Sequence, residues 1–240
     1  MRIAFLSDIH SNWPALKAVL ADLDGVEAVD EVVCLGDVVG YGAAPMRCLD
    51  LVRTRGWLTL VGNHDRACTD VSLLDWFNPE AAQAARWTRE QLDADRLRWL
   101  GELPERGERA GAQLVHGSLR DPVYEYILDA ASAAASLRLL GGRICFHGHT
   151  HVPGVFHVEQ GRVRHGYRQG SMRLPTPALV NPGSVGQPRD GDPDASYGVW
   201  DAEAGLFEFR RVPYDRAGAK RAILDAGLPP RLAFRLDFGR

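Results

Sequence analysis

The chain has 240 residues, a mass of 26.4 kDa and 45% hydrophobic residues, which is enough to bury one large core. A net charge of −3 and a pI near 6.2 give no electrostatic basis for stable binding to nucleic acid. No apolar run reaches the length of a membrane span, the first predicted strand begins at residue 2 without a preceding signal peptide, and the four cysteines lack framework spacing. We therefore expect a reduced, cytoplasmic protein without membrane contact.

Five short apolar runs, taken in chain order, are predicted to form strands, and each leads into a side chain that can bind a metal. The runs cover residues 2–6, 31–35, 57–61, 113–115 and 143–146. The side chains after them are Asp8 with His10, Asp37, Asn63, His116, and His147 with His149. Short apolar runs next to glycine are typical of buried strands, although periodicity alone does not exclude a helix.

Helix-like segments separate the first three predicted strands. Residues 14–24 place their leucines and a valine on one face, with Ser11 or Asn12 as the N-cap. Residues 46–53 have a similar character. Alternating strands and helices predict mostly parallel pairing, and open α/β sheets bind ligands at the carboxyl ends of their strands. The candidate ligands lie where that rule places a site.

The middle of the chain leaves this pattern. Residues 66–110 are predicted to form a helical insertion, in which Trp87 and Trp99 either pack the helices onto the core or belong to a lid or dimer face. An alanine-rich, helix-prone connector follows at residues 120–140. The sequence shows no internal repeat and no low-complexity tract, and we therefore expect a single domain over residues 1–240.

The last third of the chain is predicted to be mostly β-structure. A hairpin pairs residues 155–158 with 162–165, and a second strand pair joins 197–200 to 206–209. An apolar run at 178–180 leads into a loop that is rich in glycine and proline. A helix near residues 216–226 and a polar tail finish the chain.

The candidate ligands form a set that suits two divalent cations. Each motif alone is common by chance, and a turn, a helix cap or a buried histidine explains any one of them. Together they supply carboxylates, an amide and imidazoles, and a carboxylate such as Asp37 has enough lone pairs to bridge two ions. Paired metals about 3.5–4 Å apart cleave phosphate esters with an activated water. His151 stays open, since it either faces the site or supports a ligand from behind.

Four motifs closely resemble those of the calcineurin-like metallophosphoesterase superfamily. They are residues 7–12 (SDIHSN), 35–37 (LGD), 62–65 (GNHD) and 148–151 (GHTH). Residues 181–189 (NPGSVGQPR) further resemble the compact prokaryotic phosphodiesterase branch. The resemblance implies an α/β fold, a four-layer α/β/β/α sandwich of two mixed sheets flanked by helices. It also implies one metal at Asp8, His10, Asp37 and His149, and a second at Asp37, Asn63, His116 and His147.

The resemblance also implies a phosphodiesterase that hydrolyses small phosphodiester or nucleotide substrates with a hydroxide bridging the two metals. His64 is the expected catalytic residue, with Asp65 or Asp8 orienting it, and Arg189 and Tyr41 are expected substrate contacts. The expected cofactors are two Mn²⁺ ions, with Fe, Zn, Ni or Co as alternatives. The alternatives are a phosphomonoesterase, either a phosphoprotein phosphatase or a dinucleoside polyphosphate hydrolase, and a non-catalytic scaffold. The sequence leaves a homo-oligomer open.

Overall fold

Twelve strands lie in the part of the chain that the computed structural model describes, which is residues 1–26 and 29–240. In chain order they are β1 (Arg2–Leu6), β2 (Glu31–Cys34), β3 (Leu58–Thr59), β4 (Arg106–Arg109), β5 (Ala112–Val115), β6 (Ile144–Phe146), β7 (Gly154–Glu159), β8 (Arg162–Gly166), β9 (Gly170–Arg173), β10 (Ala178–Asn181), β11 (Ala195–Asp201) and β12 (Leu206–Val212). They form two six-stranded mixed sheets, ordered β3-β2-β1-β11-β12-β9 and β4-β5-β6-β10-β7-β8.

Eight α-helices lie in the same described ranges. They are α1 (Trp13–Asp24), α2 (Pro45–Thr54), α3 (Asn63–Thr69), α4 (Pro79–Gln91), α5 (Ala94–Gly101), α6 (Ala130–Leu139), α7 (Arg216–Asp225) and α8 (Pro230–Phe234). Two 3-10 turns cover Val71–Trp76 and Arg235–Asp237. The cap of α1 is Asn12, whose side chain accepts from the Ala15 N–H. Among these described helices, none combines the length and apolarity that crossing a membrane requires.

The alternation of side chains along β1 explains the layering. Ile3 and Phe5 point into a core shared with the second sheet, where the Phe5 ring stacks 3.9 Å from Phe146. Ala4 and Leu6 point the other way and pack in a cluster with α1 and α2. A further cluster packs α6 onto the outer face of the second sheet. The four-layer arrangement of two mixed sheets between helices is therefore confirmed.

Parallel pairing brings the loops that carry the motifs to one edge of the molecule. In the first sheet β1 pairs parallel with β2, and β2 pairs parallel with β3. In the second sheet β5 and β10 both pair parallel with β6. Within each sheet the carboxyl ends of these strands therefore lie side by side, at the edge where the sequence predicts a site.

Several elements differ from the sequence-based expectation. The strand expected at residues 57–61 shortens to β3, and the connector at 120–140 becomes helical only from Ala130. β4 and β9 escape prediction because they are short and their side chains are largely polar. The tail is not simply polar, since Leu232 and Leu236 are buried against α4 and α7. Trp87 and Trp99 are partly buried against the core clusters, which favours the packing alternative.

Candidate metal centre

An unusual backbone conformation marks the loops at the sheet edge. Asp8, His10, Asp37, His149 and His151 have φ angles of 53°, 48°, 55°, 67° and 59°. Residues other than glycine adopt such left-handed conformations rarely and at an energetic cost, and they cluster at functional sites. These loops follow β1, β2 and β6, so the strand ends hold the backbone in the geometry that points all five side chains to one place.

The two carboxylates each have one oxygen held and one oxygen free. Asp37 Oδ1 accepts from the His64 N–H at 2.8 Å, and Asp8 Oδ2 accepts from the His149 N–H at 3.2 Å. Asp8 Oδ1 and Asp37 Oδ2 are buried and have no hydrogen-bond partner. A buried carboxylate oxygen without a donor is costly unless a cation compensates it, so these two atoms fit the ligand role.

A first group of ligand atoms comes from Asp8, His10, Asp37 and His151, and all of them lie within 4.8 Å of one another. His151 Nε2 is 3.3 Å from Asp8 Oδ1, and His10 Nε2 is 3.5 Å from Asp37 Oδ2. All four side chains are buried. Two carboxylates and two imidazoles make a nitrogen and oxygen donor set that suits a first-row divalent metal.

A second group joins Asp37 to His116 and His149, again within 4.8 Å. His116 Nε2 lies 3.5 Å from Asp37 Oδ2, the same oxygen that faces His10. Asn63 Oδ1 lies 3.4 Å from His116 Nε2 and adds an amide oxygen to this group. Asp37 is thus common to both groups, as a bridging ligand must be.

Each of the four grouped histidines has one ring nitrogen at a backbone carbonyl. The pairs are His10 Nδ1 with Val39 O at 3.1 Å, His116 Nδ1 with Leu35 O at 2.9 Å, His149 Nε2 with Tyr124 O at 3.1 Å, and His151 Nδ1 with Gln187 O at 2.6 Å. A carbonyl only accepts, so that nitrogen carries the proton, and in the neutral ring the other nitrogen keeps its lone pair for the centre. Metal-binding histidines are commonly oriented in this way.

Burial controls the charge states in the centre. It lowers the pKa of His149 to about 3 and of His64 to about 4, which keeps both rings neutral. Burial alone would raise the pKa of Asp37, but the facing imidazoles of His116 and His64 outweigh it and hold this pKa well below its usual range. Burial alone would also lower the pKa of His116, but the facing Asp37 carboxylate outweighs it and raises this pKa to about 9. The centre therefore combines ionised carboxylates with neutral rings at His64 and His149, whereas a cation that binds His116 would displace its proton.

The structure does not place His147 in either group. Its Nδ1 lies 3.3 Å from Gly148 O, and its ring lines a separate cavity of about 160 Å³ with Asn181 and His165. His151, which the sequence left open, lies in the first group, and His149 lies in the second rather than the first. The left-handed backbone at both of these residues breaks the extended periodicity on which the expected pairing of His147 with His149 depended.

His64 and Asp65 lie at the start of α3 but have different surroundings. The His64 ring lies 4.9 Å from the His10 ring, and its Nδ1 is buried without a partner. The Asp65 carboxylate accepts from the N–H groups of Gly62, Val38 and Val39 at 3.0, 3.3 and 3.0 Å. Asp65 therefore fixes the loop after Asp37, and among the described residues no hydrogen bond joins it to the His64 ring.

Two motif glycines permit close approach of the backbone. A Cβ atom at Gly62 would overlap the Asp37 carboxylate, and one at Gly148 would overlap the Ser7 hydroxyl and crowd Asp8. The residues before Asn63 and His149 must therefore lack a side chain. This steric requirement explains why the GNHD and GHTH motifs each begin with glycine.

The cleft above the centre has an aromatic wall. Its volume is about 240 Å³, and its lining includes His64, His149 and the aromatic residues Tyr41, Trp76, Phe77, Tyr124 and Tyr126. The Tyr41 ring lies 4.3 Å from the His64 ring, and Arg189 Cζ lies 5.8 Å from the centre of the Tyr41 ring. Of the two expected substrate contacts, Tyr41 lines the cleft and Arg189 lies next to the Tyr41 ring. Trp76 also lines the cleft, but an isolated tryptophan carries no sequence motif.

Known proteins resemble this chain in sequence and in fold. The sequence model of the calcineurin-like phosphoesterase superfamily domain matches residues 1–205. An uncharacterised protein of Methanocaldococcus jannaschii is 38% identical over 246 aligned residues, covering 99% of this chain and 98% of the relative. A metallophosphoesterase from Sphaerobacter thermophilus, known from a crystal structure, is 40% identical in sequence. The two structures align with a TM-score of 0.88 over 100% of this chain and 99% of that protein.

The fold extends to a more distant structure. A hypothetical protein from Pyrococcus horikoshii is 20% identical, with a TM-score of 0.83 over 100% of this chain and 98% of that protein. At this identity the likeness shows a shared fold alone. The family match and the close relatives carry the assignment, and the chain belongs to the calcineurin-like phosphoesterase superfamily.

Proposed function

We propose that the chain is a phosphodiesterase that hydrolyses small phosphodiester or nucleotide substrates with two divalent metal ions. The observation that carries this proposal is the sharing of Asp37 between two buried ligand groups. The proposed first ion takes Asp8, His10, Asp37 and His151, and the second takes Asp37, Asn63, His116 and His149. All of these side chains are buried, and the carboxylates and imidazoles belong to the two groups. Asn63 is included because its Oδ1 lies 3.4 Å from His116 Nε2.

The donor set limits the choice of metal. Imidazole, amide and carboxylate ligands without thiolate fit Mn²⁺, Fe²⁺, Co²⁺, Ni²⁺ or Zn²⁺, and we assign Mn²⁺ on the family resemblance. The four cysteines are free and buried, and none belongs to either ligand group, which also fits the reducing cytoplasm as the compartment. When bound, two such ions act as Lewis acids on a phosphoryl oxygen and activate water at neutral pH.

The residues around the ions complete the reaction site. His64 lies against the His10 ring with a buried ring nitrogen that has no partner, so it is placed to donate to the phosphoryl group or to the leaving oxygen. Tyr41 lines the adjoining cleft with Arg189 next to its ring, and both are assigned to substrate binding. Asp65 acts through the backbone of the loop that carries Asp37, which makes it a positioning residue.

The cleft favours substrates with an aromatic group. The Trp76 side chain is 89% exposed at its rim, and Tyr124 and Tyr126 are each 43% exposed beside it. A large exposed aromatic surface next to a reaction site suits stacking of a nucleobase or another ring. This wall supports nucleotides and aryl phosphodiesters over small aliphatic esters.

The test uses protein stripped of metal and then reloaded. Hydrolysis of bis-p-nitrophenyl phosphate and of p-nitrophenyl phosphate is measured with and without Mn²⁺, for the wild type and for Asp37→Asn. Metal-dependent turnover of the diester that is lost in the variant supports the proposal. A preference for the monoester would replace it with a phosphomonoesterase, and absence of turnover with two bound metals would favour the scaffold.

A further inference from the structure

The loop between β5 and α6 contacts both histidines of the second ligand group. It covers residues 116–129, contains neither helix nor strand, and begins with the candidate ligand His116. Further along the loop, Tyr124 O lies 3.1 Å from His149 Nε2, and the Tyr126 ring stacks on the His149 ring at 3.6 Å. One loop therefore supplies the first histidine of this group and orients the second.

Backbone hydrogen bonds fold this loop back on itself. The Gly117 N–H donates to Pro122 O at 2.6 Å, and the Ser118 N–H donates to Asp121 O at 2.9 Å. The backbone passes close to Gly117, where an added Cβ atom would lie 2.8 Å from Asp121 O and 3.0 Å from Glu125 O. The start and the end of the loop are therefore in direct contact.

Side-chain hydrogen bonds at Glu125 fasten that contact. The Ser118 hydroxyl is fully buried, donates to Glu125 Oε2, and accepts from the N–H groups of Arg120 and Asp121 at 3.1 Å each. The Arg120 guanidinium also donates to the Glu125 carboxylate, which lowers the pKa of Glu125 and keeps it ionised at neutral pH. Because Ser118 lies two residues after His116, Glu125 is linked to the part of the loop that carries this ligand.

The carbonyl that faces His149 Nε2 belongs to the peptide group joining Tyr124 to Glu125. A carbonyl there keeps the proton on Nε2 and leaves Nδ1 of His149 for the centre. The Glu125 side chain therefore restrains the peptide group on which the orientation of His149 depends. We propose that Glu125 is a positioning residue for the second metal, held by Ser118 and acting on His149 through Tyr124 O. This inference rests on the proposed function, because it requires that the second ligand group binds a metal.

The test is calorimetric titration of metal-stripped protein with Mn²⁺. We expect Glu125→Ala to weaken the binding of one ion by about 10- to 100-fold, as loss of a ligand's supporting partner does, and to leave the other within about twofold. Glu125→Gln keeps an acceptor for the Ser118 hydroxyl and should restore most of the lost affinity. Glu159→Ala is the matched control, because it also removes a carboxylate that pairs with an arginine, Arg164 at 3.4 Å, but lies on β7 outside the loop. It should bind both ions as the wild type does.

Double variants assign the weakened ion to its ligand group. His149→Asn removes a ligand of the second group, so adding Glu125→Ala should not change the affinity for the ion that remains. His151→Asn removes a ligand of the first group, so adding Glu125→Ala should weaken the remaining ion by the same about 10- to 100-fold.

Several results would overturn the inference and leave the two-metal centre intact. They are unchanged affinity for both ions in Glu125→Ala, equal weakening of both ions, or the same loss in Glu159→Ala. Wild-type protein that binds fewer than two Mn²⁺ ions would instead refute the proposed centre of two Mn²⁺ ions itself.

Discussion

The Nε2 atoms of His10 and His151 lie 3.1 Å apart, although 141 positions separate the two residues in the chain. Each ring has its Nδ1 at a backbone carbonyl, so the proton sits there and both Nε2 lone pairs face each other. Burial lowers the pKa of both rings, which keeps them neutral. Two facing lone pairs repel, and a cation that accepts both removes the conflict, which makes this pair the clearest sign of a metal position.

The choice between His151 and His147 as a ligand is testable with matched variants. We expect His151→Asn to weaken the binding of one metal by more than about 100-fold. Removing a residue that only supports a ligand costs about 10- to 100-fold in metal affinity, and loss of the ligand itself should cost more. His147→Asn should keep both metals, because His147 lies outside both groups. The metal content of each variant after dialysis, measured by mass spectrometry, shows which of the two histidines is a ligand. The opposite result, with one metal lost only in His147→Asn, would restore the expectation from the sequence.

His64 should matter for turnover and not for metal binding. It belongs to neither ligand group, yet its ring lies 4.3 Å from Tyr41 in the cleft. We expect His64→Gln to retain two metals and to lower kcat for bis-p-nitrophenyl phosphate by about 10²- to 10⁴-fold. Steady-state kinetics alongside metal analysis separates the two effects. An unchanged kcat would show that His64 does not take part in the reaction.

Gly62 is predicted to tolerate no side chain. A methyl group there would overlap the Asp37 carboxylate and displace the bridging ligand. We expect Gly62→Ala to destabilise the protein by about 1–3 kcal/mol and to lose metal affinity. Gly166→Ala is the control, because nothing lies within 4 Å of the added atom. Urea unfolding and metal titration of both variants measure the difference, and full metal affinity in Gly62→Ala would contradict the geometry.

Trp76 should contribute to substrate affinity. Its ring lines the cleft, is largely exposed and is not among the metal ligands. We expect Trp76→Ala to raise KM for bis-p-nitrophenyl phosphate about fivefold or more, as loss of a stacking contact does, with little change in kcat. Val71→Ala, in the same 3-10 turn and 53% exposed, is the matched control. Equal KM values for Trp76→Ala and Val71→Ala would show that Trp76 does not stack on the substrate.

An ion pair far from the centre predicts a pH dependence of stability. The hydrogen bond from Arg210 lowers the pKa of Asp22 below its usual 3.8, and Tyr197 adds a second hydrogen bond at 2.6 Å. A lowered carboxyl pKa stabilises the folded state above the unfolded pKa, and the contribution disappears as pH falls through the folded value.

We therefore expect Asp22→Asn to lower the free energy of unfolding at neutral pH by about 1–2 kcal/mol, given partial exposure. The difference from the wild type should shrink below about pH 4. Urea unfolding at a series of pH values measures it. A difference that stays constant down to about pH 3 would show that the Asp22 charge is not responsible.

The predictable part of the fold came from local patterns. β1 was recognisable as a short apolar run, and α1 was recognisable because its apolar residues follow helix periodicity behind the Asn12 cap and a proline in the first turn. β4 was not predictable because it is short and largely polar, and α8 was not because its burial depends on neighbours distant in the chain. Trp76 carries no motif, and it becomes part of the cleft only when the chain folds.

The sequence by itself determined the chemistry of the centre, because ligand types and strand ends are local properties of Asp8, His10, Asp37 and their flanking residues. Only the tertiary structure decided which histidines join which group. His147, His149 and His151 alternate in sequence, and the left-handed backbone at the last two redirects their rings in a way that spacing does not reveal. Contacts such as that between His149 N and Asp8 Oδ2 join the two sheets, and they exist only once the sheets have packed.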